Sequence, residues 1–121
     1  MTKAPRHRPE RLATLIQETL AEALTTQVKD PRVGFITITG VQVTPEGAHA
    51  RVRVSVMGTA EEKASAMEGL ESARGFLRTH LARTLSLRTT PQLHFDLDRG
   101  LEHAARIDEI LHELKRDETS S

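Results

Sequence analysis

Ala48, Ala50, Val52, Val54 and Val56 alternate with His49, Arg51, Arg53, Ser55 and Met57. A strict period of two over this length fits a β-strand with one apolar and one polar face, and fits no helix. Such a strand cannot stand alone: its apolar face needs partner strands and a covering layer. The stretch before it supplies one partner. Residues 35–43 are rich in β-branched side chains and read as a strand, with Ile36 and Ile38 on one parity and Val41 and Val43 on the other. The switch falls at Gly40, where a β-bulge would return both pairs to the same face. Thr44-Pro45-Glu46-Gly47 has proline second and glycine fourth, the pattern of a tight turn.

The flanking segments are helical in period. Pro9 suits a first helical turn, and Leu12, Leu15, Ile16, Thr19, Leu20, Ala23, Leu24 and Val28 follow at helical spacing. Asp30-Pro31-Arg32-Val33-Gly34 ends that helix. After Gly58, Thr59-Ala60-Glu61-Glu62 is a capping box opening a second helix, with Ala60, Ala64, Met67 and Leu70 expected inward. Leu93, Phe95 and Leu97 alternate with Gln92, His94 and Asp96 as a third strand, entered through Thr90-Pro91. Leu101, Ala104, Ile107, Leu111 and Leu114 mark a last amphipathic helix. The expected fold is α+β: a mixed three-stranded sheet with helices packed on it, in the order α-β-β-α-bend-α-β-α, as one domain over residues 9–115. Residues 1–8 read as a flexible basic arm and residues 116–121 as a disordered tail.

The bend is placed at Ser72-Ala73-Arg74-Gly75-Phe76-Leu77-Arg78. Gly75 sits inside a helical pattern at a cost of about 1 kcal/mol relative to alanine. Leu70, Phe76, Leu77, Leu81 and Leu85 carry an apolar stripe across it. Two readings fit: Gly75 bends the helix and aims Arg74 and Arg78 at one surface, or it lets two helices approach closely while the arginines are solvated. From Arg74 to Pro91 the basic residues are Arg74, Arg78, His80, Arg83 and Arg88, with no acid. A one-signed face of this kind suits a polyanion.

Composition narrows the function. Lys plus Arg and Asp plus Glu are 17 each, so the formal charge is zero and only its distribution is informative. With no Trp or Tyr and three Phe, a base-stacking platform is not expected, and RNA would be held by backbone and shape. There is no Cys, hence no disulfide, thiol nucleophile or cysteine-ligated metal. No glycine pair is spaced for a phosphate loop. His112-Glu113 begins like a zinc-protease helix, but position 116 is Arg. Asp96 and Asp98 share a strand face that fits a solvated surface better than a cation site. No catalytic constellation stands out, so neither an enzyme nor a cofactor is expected. The first residues lack an apolar run and no stretch is long enough to span a membrane, so the cytoplasm is the expected compartment.

Several motifs in order carry a resemblance. They are Arg11-Leu12, Lys29-Asp30-Pro31-Arg32-Val33-Gly34, Thr39-Gly40-Val41, Ala50-Arg51-Val52-Arg53-Val54, Ala73-Arg74-Gly75-Phe76-Leu77-Arg78, and residues 87–95 with Asp98. In this set the chain resembles the bacterial ribosome-binding factor A family over about residues 8 to 115. The resemblance implies a KH-like domain of type II order whose helix bend, here Ala73-Arg74-Gly75, replaces the usual Gly-x-x-Gly loop. It implies a non-enzymatic, cytoplasmic assembly factor, associated with growth in the cold. Such a factor binds the immature small (30S) ribosomal subunit and its 16S rRNA and assists late rRNA processing. A monomer when free is expected. The alternatives are a general structured-RNA module and a protein-interaction domain that never touches RNA. Candidate RNA-binding residues are Arg6, Arg8, Arg11, Arg32, Arg51, Arg53, Arg74, Arg78, Arg83 and Arg88.

Overall fold

The structure, a computed structural model, describes residues 8–98. In chain order it contains α1 (Pro9–Thr26), a 3-10 turn (Pro31–Val33), β1 (Ile36–Val43), β2 (His49–Val56), α2 (Ala60–Leu85) and β3 (Gln92–Leu97). The expected final helix from Leu101, the tail and most of the basic arm, including Arg6, lie outside the described residues.

The sheet has the order β1-β2-β3, with β1 antiparallel and β3 parallel to β2. The bulge falls where the parity switch places it. Ile38 pairs with Val54 and Gly40 with Arg53, which leaves Thr39 as the extra residue. Ile36, Ile38, Val41 and Val43 consequently all oppose apolar residues of β2. Gly47 closes the hairpin turn by donating its N–H to the Thr44 carbonyl at 2.8 Å, and its φ of 75° suits glycine. The long connection through α2 returns β3 parallel to β2, a crossover that a hairpin cannot make.

Both helices cover the face that carries Ala50, Val52 and Val54, which are fully buried. Ile16 and Leu20 come from α1, Leu70, Leu77 and Leu81 from α2, and Leu93 from β3, and all are fully buried in one cluster. At roughly 1.5–3 kcal/mol for each large side chain, this cluster is the main favourable term holding the layers together.

Two expectations for α2 are corrected. First, α2 runs unbroken from Ala60 to Leu85, so Ala73-Arg74-Gly75 does not divide it into two pieces. Positive φ among the described glycines occurs only at Gly47 and Gly58, so Gly75 keeps helical backbone. An added Cβ at Gly75 would meet nothing within 4 Å among the described residues, so no close approach by them explains it either. Second, Ala60 and Ala64 are exposed, as is Phe76 at 49%. The buried face is Ala66, Gly69, Leu70, Leu77 and Leu81. The physical reason lies at Gly69, where an added Cβ would stand 3.0 Å from Arg32 Cβ and 3.1 Å from Val33 Cγ1. The 3-10 turn presses onto α2 at that glycine, and the missing Cβ is what lets it sit there. Thr59 caps the helix as expected: its hydroxyl accepts from the Glu62 N–H at 3.1 Å, and Glu62 accepts from the Thr59 N–H at 3.2 Å.

Candidate nucleic-acid interface

The fold sorts the candidate arginines into two groups by what each guanidinium already holds. On the outer face of the sheet, Arg51 forms an ion pair with Asp96, and Arg53 donates to the Gln42 side chain at 2.9 Å. The same face carries His49 Nδ1 at 2.9 Å from His94 Nε2, and Thr39 donating its hydroxyl proton to Asp98 at 2.7 Å. Asp96 and Asp98, the pair weighed as a cation site, are thus spent on Arg51 and Thr39. These contacts are a set of cross-strand pairs that fix the register of three strands.

Arg32 is held by Asp30, with Nη2 2.6 Å and Nε 3.0 Å from Oδ2, and lies 3.8 Å from Glu68. The Arg32 side-chain hydrogen bonds, and then its backbone N–H, hold the Asp30 carboxyl below the ordinary carboxylate range. The same side-chain bond raises the Arg32 guanidinium. Arg74 stands 3.5 Å from Glu71, one turn earlier on α2. Arg78 is half-buried and donates to the Thr90 carbonyl at 2.8 Å and the Pro91 carbonyl at 3.3 Å. It ties α2 to the start of β3, and two of its donors serve the fold.

Arg8, Arg11, Arg83 and Arg88 differ: each is exposed and has no acidic partner among the described residues. One of them, Arg88, lines a cleft. This surface cleft, of about 580 Å³, is lined by Pro9 and Leu12 of α1, Thr44 to Gly47 of the hairpin turn, and Leu87, Arg88 and Thr89. Arg8 adjoins Pro9 at the N-cap of α1, and Arg11 occupies the exposed side of the same turn. Arg83 lies in the last turn of α2, at the end that feeds the loop bearing Arg88. Ser86 turns the chain there, in left-handed backbone with φ 50° and ψ 45°. Glu46 is the acid among the cleft's lining residues.

This arrangement suits phosphate. Arginine forks bind phosphate oxygens in bidentate geometry, and an unpaired guanidinium need not give up a partner to do so. Among the described residues no aromatic side chain lines the cleft, so its contacts would be to backbone and shape. Sequence reasoning included all four of these arginines but put Arg74 and Arg78 first. The charge run alone does not show that Glu71 and two carbonyls already occupy them.

The comparisons with known proteins agree with this architecture. A family model described as ribosome-binding factor A matches residues 8–111. The chain is 42% identical over 112 residues to ribosome-binding factor A of Desulforamulus reducens, covering 93% of each. The chain belongs to the ribosome-binding factor A family. A second family member, from Roseiflexus castenholzii, is 50% identical over 105 residues, covering 86% of this chain and 81% of its own. Among solved structures, a Thermotoga maritima protein described as a putative ribosome-binding factor A superposes with TM-score 0.68 at 38% identity, over 82% of this chain and 94% of that one. A homology model of Thermus thermophilus ribosome-binding factor A, fitted into a cryo-EM map of its complex with 30S, superposes with TM-score 0.60 at 28% identity, over 71% of this chain and 90% of that one. Ribosome-binding factor A structures are KH-like, and the αββαβ order with its mixed sheet is that fold. No helix among the described residues is long and apolar enough to cross a membrane.

Proposed function

We propose that this chain binds the immature small ribosomal subunit through its 16S rRNA and assists late rRNA processing and subunit maturation. It does so in the cytoplasm, as a monomer when free and without chemistry of its own. The observation that carries the RNA contact is the sorting of arginines. Arg8, Arg11, Arg83 and Arg88 are exposed and unpaired among the described residues, while Arg32, Arg51, Arg74 and Arg78 are engaged within the fold. Support for the ribosomal target comes from the family and from its relative fitted into a 30S map. The unpaired arginines grip rRNA phosphates at the end of the molecule where α1 begins and α2 ends, and shape complementarity supplies the rest. Sedimentation of a cell lysate tests this directly. The protein is expected with the small subunit and its precursor particles. Migration at the top of the gradient, or with the large subunit alone, would refute the reading.

A further inference from the structure

At the opposite end of α2 the chemistry is reversed. Phe35 and Met57 are 76% and 80% exposed, the two most exposed large apolar side chains described. They flank the paired residues Ile36 and Val56 at one end of the β1–β2 ladder. Both line a single cleft of about 330 Å³, together with Val56, Ala66 and the acids Glu61 and Glu62. Single exposed apolar residues are ordinary, but two joined in one concavity form a patch suited to a partner. Methionine on such a patch adapts its shape to what it meets.

The charge around the cleft decides what kind of partner. Glu61 and Glu62 are exposed. The cleft's one cation among the described residues, Arg32, is bonded to Asp30 and lies near Glu68. A phosphate arriving here meets like charge, whereas a lysine or arginine meets opposite charge. The 26 residues of α2 span roughly 39 Å, several screening lengths at physiological salt, so this acidic end and the arginine end act independently.

We propose that the Phe35–Met57 cleft docks a protein segment, one that presents an apolar side chain flanked by lysine or arginine, as a basic extension of a ribosomal protein would. The inference rests on the small-subunit reading above. It makes the molecule two-ended, with rRNA held at Arg83 and Arg88 and a basic protein segment held at Phe35 and Met57. Apolar burial supplies the contact, and Glu61 and Glu62 select against RNA.

A photo-crosslinking residue, p-benzoylphenylalanine, placed at position 57 of the full chain tests this on purified small-subunit particles. A second protein carries it at the exposed position 89, in the other cleft. The expected result is a position-57 adduct with a protein of the particle, mapping to a peptide rich in lysine and arginine, and a position-89 adduct with rRNA. A position-57 adduct with rRNA, with residues 99–121 of the same chain, or with a second copy would overturn the proposal. So would the absence of a position-57 adduct while position 89 still crosslinks. Failure of the unmodified chain to sediment with the particle would overturn the functional reading and this inference with it. Glu61→Lys supplies an independent arm, because Glu61 lies off the core and bonds nothing described. Its particle affinity should fall roughly five- to tenfold at low salt, and less as salt rises. Unchanged or tighter binding by a folded Glu61→Lys protein would overturn the proposal.

Discussion

Two glycines in α2 face opposite situations, and the same substitution should stabilise the protein at one and not at the other. Gly75 is exposed and helical, and no described residue comes within 4 Å of where a Cβ would go. Alanine there gains helix propensity and reduces the freedom of the unfolded chain, with nothing to displace. The expected gain is about 1 kcal/mol. For a domain of this size, that raises Tm by roughly 4–8 °C. At Gly69 the same methyl would stand 3.0 Å from Arg32 Cβ and 3.1 Å from Val33 Cγ1. Those atoms belong to a 3-10 turn fixed by the Asp30 hydrogen bonds, so the turn must give by a few tenths of an ångström. Overpacking of this kind costs about 1–3 kcal/mol, against the same propensity gain of about 1. Gly69→Ala should therefore be neutral to about 2 kcal/mol less stable, and Gly75→Ala more stable than the parent. Urea unfolding of the three proteins, with unchanged m-values, measures the order. Gly75→Ala should also bind small-subunit particles as the parent does. A destabilised Gly75→Ala protein would refute the helical, uncrowded backbone at Gly75.

Two further outcomes follow from particular contacts. Arg78→Ala should cost about 1–3 kcal/mol in urea unfolding, because it leaves the half-buried Thr90 and Pro91 carbonyls without their charged donor; a loss within error would show that water replaces it fully. Asp30 has its carboxyl lowered in the folded state, so its contribution is present above the ordinary carboxylate pKa of 3.8 and is lost as pH falls through the depressed folded value; Asp30→Asn should flatten the fall in Tm measured below about pH 4, and an unchanged acid limb would refute the role of the Arg32 contact.

Much of the fold was legible because the deciding signals are local. The parity switch at Gly40 implied the bulge that leaves Thr39 unmatched, and Thr59 with Glu62 implied the cap of α2. Pro9 and the stripe through Leu24 implied α1. The division of the arginines was not legible, since it depends on register between distant segments. Arg51 meets Asp96, 45 residues away, only because β3 runs parallel to β2 with His94 opposite Arg51. Arg78 meets carbonyls that belong to the entrance of β3. Gly75 drew the attention that Gly69 needed, because helical period alone does not say which one lies under a neighbour. One signal was available: Ala66, Gly69 and Ala73 form a stripe of small residues at helical spacing, the pattern of a face pressed closely by another segment.

The central claim is that rRNA is held by the arginines the fold leaves unpaired. The salt dependence of binding to purified small-subunit particles tests it most directly, comparing the parent, Arg83→Ala/Arg88→Ala and Arg51→Ala/Arg74→Ala. Each phosphate contact contributes about 0.7–0.9 to the slope of log affinity against log salt. The account predicts that the Arg83/Arg88 pair lowers that slope by roughly one to two units and weakens binding, while the Arg51/Arg74 pair leaves the slope within error of the parent. An unchanged slope for a folded Arg83→Ala/Arg88→Ala protein, with a reduced slope for Arg51→Ala/Arg74→Ala, would contradict it.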